Sequence, residues 1–121
     1  MAVKITLDPE LRLASRTYSG VVSSSDLLDS IKQYPSLPGF DPSYDELMDF
    51  RWAENISALV EDIHRCAIQP APFDNRAKRV ILAPQELVYG LARMYQILGE
   101  DVHPNIFVVR TIEEANRIFG R

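Results

Sequence analysis

Carboxylates form the densest group of reactive side chains in this chain: Asp41, Asp45, Glu46, Asp49 and Glu54 share one short stretch. Paired carboxylates can hold a metal or divide acid and base work between them. Asp45 and Glu46 precede the expected third strand, however, and Asp49 stands two residues from Arg51 on the same strand face. This spacing predicts an ion pair between Asp49 and Arg51, or a solvated rim, ahead of a reactive pair. His64 and Cys66 lie two residues apart on an expected helix, where side chains meet only at three or four residues, so they point apart. His103 precedes Pro104 in a loop, and neither histidine belongs to a zinc-ligand pattern. Cys66 continues an apolar stripe and is expected in the core. The glycines Gly20, Gly39, Gly90, Gly99 and Gly120 stand singly, which builds neither a phosphate loop nor a nucleophile elbow. These residues predict no catalytic machinery, no metal and no cofactor.

The elements that would position them follow from periodicity. Val3, Ile5 and Leu7 alternate with Lys4 and Thr6, the pattern of a half-buried strand. Asp8-Pro9-Glu10 then makes a turn, and Leu11 to Ser19 returns as a second strand ending at Gly20. Ser23 to Asp26 predicts a capped helix start, with Leu27, Leu28, Ile31 and Tyr34 as its stripe and Pro35 as its stop. Leu47 to Trp52 reads as the third strand, with Met48, Phe50 and Trp52 on one face. Ile56, Leu59, Val60, Ile63 and Ala67 recur at helical spacing and predict an amphipathic helix closed by Pro70 and Pro72.

Val80-Ile81-Leu82 and Ile106 to Val109 are short continuous apolar runs, expected as strands buried on both faces. The basic residues from Arg76 to Arg79 are expected to be a solvated approach to the first of them. Pro84 suits the first turn of a helix running to about Leu98, and Thr111 with Glu114 predicts a capping box for the last helix. The order β-β-α-β-α-β-α-β-α predicts an α/β fold: a mixed, mostly parallel five-stranded sheet, an N-terminal hairpin and four helices.

With 121 residues, 46% of them hydrophobic and 25% charged, the chain is expected to be one domain over its whole length. A net charge of −4 argues against nucleic acid and anionic membranes as partners. No apolar run approaches the roughly 18 residues of a membrane span. The alternating start lacks the look of a signal peptide, and the one cysteine fits a reducing, cytoplasmic setting.

Arg79-Val80-Ile81-Leu82-Ala83-Pro84, followed by Leu87-Val88-Tyr89-Gly90-Leu91-Ala92-Arg93-Met94-Tyr95, resembles a small group of bacterial STAS-like proteins of unknown function. Leu7 to Leu11 and Asp45 to Arg51 resemble the same group, so the similarity covers most of the chain. It implies the SpoIIAA-like fold shared by anti-sigma-factor antagonists and the tails of sulfate transporters. The antagonists carry a phosphorylated serine after the third strand, in a Ser-Gly turn. The corresponding Asp49 to Ser57 here has no Ser-Gly pair; Ser57 is the nearest hydroxyl, and helix capping is its simplest role.

Three readings of function follow. A noncatalytic module that binds a protein partner or itself as a homodimer comes first. Its candidate interface is Tyr89, Gly90, Arg93 and Met94, because the Pro84 to Leu98 helix carries apolar residues on two sides and a mid-helix glycine suited to close approach. A small-ligand or lipid carrier comes second, with a pocket between helix and sheet lined by Phe50, Trp52 and Met94. An enzyme is third. Ligands of parallel sheets lie beyond the strands' carboxyl ends, which here should gather Asp49, Arg51, Trp52, Ala83 and Arg110; Arg51 and Arg110 could hold a small anion, and Ser57 is the hydroxyl nearest the position phosphorylated in the antagonists.

Overall fold

In the computed structural model, which describes residues 3–121, the Val3-Ile5-Leu7 alternation makes strand β1 (Val3–Asp8). The chain turns through Asp8-Pro9-Glu10 and returns as β2 (Leu13–Ser23). Then come α1 (Ser24–Ser30), a 3-10 turn at Ile31–Ser36, β3 (Asp45–Ser57), α2 (Val60–Ile68), β4 (Arg79–Leu82), α3 (Glu86–Leu98), β5 (Ile106–Val109) and α4 (Ile112–Phe119). The sheet order is β1-β2-β3-β4-β5; β1 pairs antiparallel with β2, and every other pair is parallel. The mixed, mostly parallel sheet with its N-terminal hairpin and four helices is the expected architecture.

Helix α1 starts where the cap pattern puts it. The Ser23 hydroxyl accepts the Asp26 amide, and the Asp26 carboxylate accepts the Ser23 amide. Thr111 caps α4 by accepting from the Glu114 amide at 3.2 Å, but the Glu114 carboxylate accepts from the Thr111 hydroxyl instead of its amide, so the expected capping box is only half made. Pro84 stays outside α3, which Gln85 precedes as N-cap.

The largest departure from expectation lies in β3. Two bulges interrupt its pairing with β2, one between Thr17 and Ser19, the next between Gly20 and Val21. Each inserts an extra β3 residue and shifts the inward parity by one. The inward side chains are therefore Met48, Phe50, Ala53 and Ile56, spaced by two and then by three. Spacing of three imitates a helix, which is why Ile56 reads as part of the next one. Ile56 and Ser57 belong to β3, Ser57 pairs with Ser23, and Ser57 is not a helix cap. The cap contact at α2 comes from Asp62, whose carboxylate accepts the Leu59 amide. The same shift turns Trp52 outward, 55% exposed. Leu59 and Val60 are also exposed, leaving Ile63 and Ala67 as the buried residues of α2.

The two faces of the sheet are covered unequally. Met48, Phe50, Ile81 and Ile106 pack with Val88 and Ala92 of α3 and Leu27 of α1. Val80, Leu82 and Val109 pack with Ala115, Ile112 and Ile118 of α4. β4, with a partner on each side, is buried at all four residues. β5 is the sheet's edge, so Phe107 and Val108 are only half-buried, short of the double burial its apolar run suggests.

Candidate functional site

Period two carries three charged residues into the core. Ala14, Arg16 and Tyr18 share one face of β2; in register beside them lie Glu46, Met48 and Phe50 of β3, and then Arg79 and Ile81 of β4. Arg16, Glu46 and Arg79 thus form a row across the three central strands, and none is more than 4% exposed. Arg16 Nε donates to Glu46 Oε2 at 2.8 Å, and Arg79 Nε donates to Glu46 Oε1 at 3.0 Å. Arg16 Nη1 also donates to the Ser30 hydroxyl, which lies 3.0 Å from the Tyr18 hydroxyl. Aromatic rings close the row: Arg16 sits over Tyr18 and Tyr34, and Arg79 over Phe73.

Neither Glu46 nor Arg79 is a solvated rim residue, as their flanking positions suggest. The parity that buries Met48 buries Glu46, and Arg79 follows because it pairs with Glu46 across the ladder. Strand alternation in Ala14-x-Arg16-x-Tyr18 and Glu46-x-Met48-x-Phe50 is the sequence signal that places both charges inward.

Burial opposes the charge of Glu46, but Arg16 and Arg79 outweigh it and hold its carboxyl below the usual carboxylate range. His103 extends the row. Its Nδ1 lies 3.1 Å from Arg79 Nη1 and its Nε2 lies 2.8 Å from the Gln69 carbonyl oxygen. Arginine can only donate, so Nδ1 accepts and Nε2 carries the proton that Gln69 receives. Burial, and then the Arg79 charge, lower the His103 pKa, which keeps the ring neutral. With His103 neutral, the row holds two cations and one anion.

Arg79 Nη2 is buried and has no hydrogen-bond partner among the described residues. The Tyr34 hydroxyl makes no close hydrogen bond among the described residues, and the Glu46 carboxylate is the acceptor it faces. Burial and then the neighbouring Glu46 charge push the hydroxyl's pKa far up, so it stays protonated.

Arg16 and Arg79 line a cavity of about 70 Å³ between the sheet and helices α1, α2 and α3, and Arg79 and His103 also line a neighbouring pocket beside Pro70, Ala71 and Phe73. Leu27, Met48, Phe50, Ile63, Ile81 and Leu91 supply much of its apolar lining. Phe50 lines it as expected; Trp52 and Met94 do not, Trp52 because the first bulge turns it outward. Cys66 is half-buried on the wall rather than deep in the core, and burial raises its thiol pKa. An outer groove along Ile31, Pro35, Pro70 and Pro72 shares Ile31, Gln69, Pro70 and Ala71 with the cavity.

The residues expected at the strand ends form two separate clasps. Asp49 pairs with Arg51 at 2.8 Å, and its carboxylate also accepts the Arg51 amide inside the first bulge. The Arg51 guanidinium lies over the Trp52 ring. Gln85 Nε2 sits within 3.2 Å of the Phe50, Arg51 and Ala53 carbonyl oxygens, tying the bulge to the start of α3. Arg110 pairs instead with Glu86 and lies 3.9 Å over the Tyr89 ring. Arg51 and Arg110 each have a carboxylate partner of their own, and Ser57 joins neither clasp.

On α3, Val88, Ala92 and Tyr95 face the sheet side, while Leu87, Ile97 and Leu98 are exposed. Of the candidate interface residues, Arg93 is exposed, Met94 half-buried, and Tyr89 half-buried beneath Arg110. Gln96 donates to the Ile106 carbonyl oxygen at 2.7 Å. Gly90 is exposed, and a Cβ there would meet nothing within 4 Å. Close backbone approach occurs at Gly99 instead, where a Cβ would lie 2.6 Å from the Ala67 carbonyl oxygen.

The electrostatics of the row predict acid sensitivity. His103 is lowered from an ordinary value of about 6.5, so between the two values the unfolded chain binds a proton that the native ring refuses. Its stabilisation is complete above about pH 6.5 and declines as pH falls toward the native value. Glu46, also lowered, adds a second loss that begins below about pH 4.3. Thermal midpoints should fall between about pH 7 and pH 5, and His103→Gln should flatten that step. A midpoint constant across this interval in the unaltered protein contradicts the assignment.

Compared with known proteins, the chain matches no protein-family model and no curated sequence.

Proposed function

We propose that this protein is a noncatalytic binding module of the SpoIIAA-like kind, and that it holds a small apolar molecule in the cleft between the sheet and α1, α2 and α3. The cleft itself carries the reading. Its lining is mainly aliphatic and aromatic, with a few polar residues, Arg16, Gln69, Arg79 and His103, among them, the usual make-up of a ligand site. Its volume of about 70 Å³ corresponds to roughly five waters. A short chain filling it can continue outward along Ile31, Pro70 and Ala71.

The noncatalytic part of the reading draws on the carboxylates. Glu46 is held by two arginines and Asp49 by Arg51, so neither is poised to exchange protons with a substrate. The strand and helix order supports the STAS-like assignment on which the module reading leans.

Methyl NMR tests the cleft. Octan-1-ol or sodium octanoate should shift the methyls of Leu27, Ile63, Ile81 and Leu91 saturably, and leave Ile112 and Ile118 of α4, on the other side of the sheet, unmoved. Bound ligand should also slow alkylation of Cys66, which stands on the cleft wall. If neither compound moves the cleft methyls up to about millimolar concentration, where binding is worth only about 4 kcal/mol, the reading fails.

A self-associating module is the second reading, favoured by Leu87, Ile97 and Leu98, which α3 leaves exposed. Light scattering that returns a strict monomer at high concentration removes it.

A further inference from the structure

We infer that the ligand of this cleft is a monoanion, an aliphatic carboxylate whose head group is received by Arg79 Nη2. The inference rests on the cleft being a binding site and adds the chemical class of what enters it.

Three observations converge on Arg79. The first is an unmet donor: Arg79 is 4% exposed, its Nε and Nη1 are engaged by Glu46 and His103, and Nη2 has no partner among the described residues. A buried guanidinium edge without an acceptor is costly, and the strongest remedy is a charged oxygen. The second is charge. Arg16 and Arg79 against Glu46 leave one unit of positive charge in a low-dielectric wall, and a monoanion cancels it where a neutral ligand does not. The third is shape. Arg79 and His103 both line the cleft, whose remaining wall is apolar from Tyr18 and Phe50 to Leu91, so a charged head and a greasy tail have separate places.

The surroundings argue for one negative charge rather than two. A phosphate monoester brings close to two charges at neutral pH, and after the first is neutralised the second faces Glu46 in the same row. Arg79 Nη2 offers one planar guanidinium edge, which suits a planar two-oxygen head better than a tetrahedral one.

Calorimetry on the full chain tests this by comparing octanoate, octan-1-ol and octyl phosphate. Octanoate should bind about ten- to a hundredfold more tightly than octan-1-ol, the range expected for a buried charge-assisted hydrogen bond. It should also bind more tightly than octyl phosphate. Equal affinity for octanoate and octan-1-ol, with cleft methyls shifted by both, overturns the anion assignment and leaves the apolar site standing. Absence of binding by all three overturns the site as well. Preference for octyl phosphate overturns the monoanion. Arg79→Gln, checked for folding by circular dichroism, should bring octanoate and octan-1-ol to similar affinities; retained preference overturns the role of Nη2. Should that variant not fold, the three-ligand comparison in the unaltered protein still separates a monoanion site from a purely apolar one.

Discussion

Glu46→Ala should leave the protein about 3–5 kcal/mol less stable, the largest loss expected from any single substitution in the charged row. Glu46 is fully buried and is the acid between Arg16 and Arg79, both also buried. Removing it strands two guanidinium groups in the core with only Ser30 and His103 as hydrogen-bond partners. Domains of this size commonly have only about 5–15 kcal/mol in hand, so the variant approaches unfolding at ambient temperature. Urea denaturation measures the loss directly.

The informative comparison is the triple replacement Arg16→Met, Glu46→Leu, Arg79→Met. Desolvating three charges consumes most of what their attraction returns, so an apolar row of similar volume should match or exceed the stability of the native protein. That variant should fold and yet show no preference for octanoate. A single Glu46→Ala variant within about 1 kcal/mol of the native protein contradicts the buried row itself. If the triple variant is stable, the row is retained at some cost to the fold, which is what a binding site demands of its scaffold.

Gly99→Ala should be the second most damaging change, at about 1–3 kcal/mol. Its Cβ would come within 2.6 Å of the Ala67 carbonyl oxygen and 3.2 Å of the Tyr95 carbonyl oxygen. Both obstacles are backbone, so the end of α3 must move off the end of α2 to make room. The φ of −104° at Gly99 is open to alanine, which assigns the whole cost to contact. Gly90→Ala is the control: nothing lies within 4 Å, and replacing glycine inside a helix gains up to about 1 kcal/mol. Parallel thermal denaturation should move the two variants in opposite directions. Equal shifts would sink the claim that α2 and α3 meet at Gly99.

The contrast between these glycines shows what the sequence can and cannot convey. Gly90 attracts attention because it interrupts a helix, whereas Gly99 looks like an ordinary helix end; only the approach of α2 separates them. β1, β4 and the capped helix starts are legible, since each depends on a handful of adjacent residues. The bulges in β3 are not, because an extra residue opposite β2 is a property of the pair, and β3 alone gives spacing that mimics a helix. Arg16, Glu46 and Arg79 escape notice for a related reason. Charge suggests exposure, although alternation puts Arg16 beside Tyr18 and Glu46 beside Met48 on the inward side. The Asp49 and Arg51 pair follows from spacing alone and is found, while its hold on the Arg51 amide emerges only with the bulge.

The strand order has a consequence for how the polypeptide acquires its shape. Every strand is hydrogen-bonded to the one synthesised just before it, so the sheet can grow by accretion from the amino end, with no gap left for a latecomer to fill. Each parallel pairing nonetheless joins residues far apart in sequence, Leu13 with Asp45, Glu46 with Arg79 and Arg79 with Ile106, so every addition carries its own loop-closure cost and assembly is slower than for a run of hairpins. The nascent chain meets a single electrostatic checkpoint on the way: Glu46 gains its second cation only when β4 docks, so arrival of Arg79 at the growing edge seals the centre of the sheet.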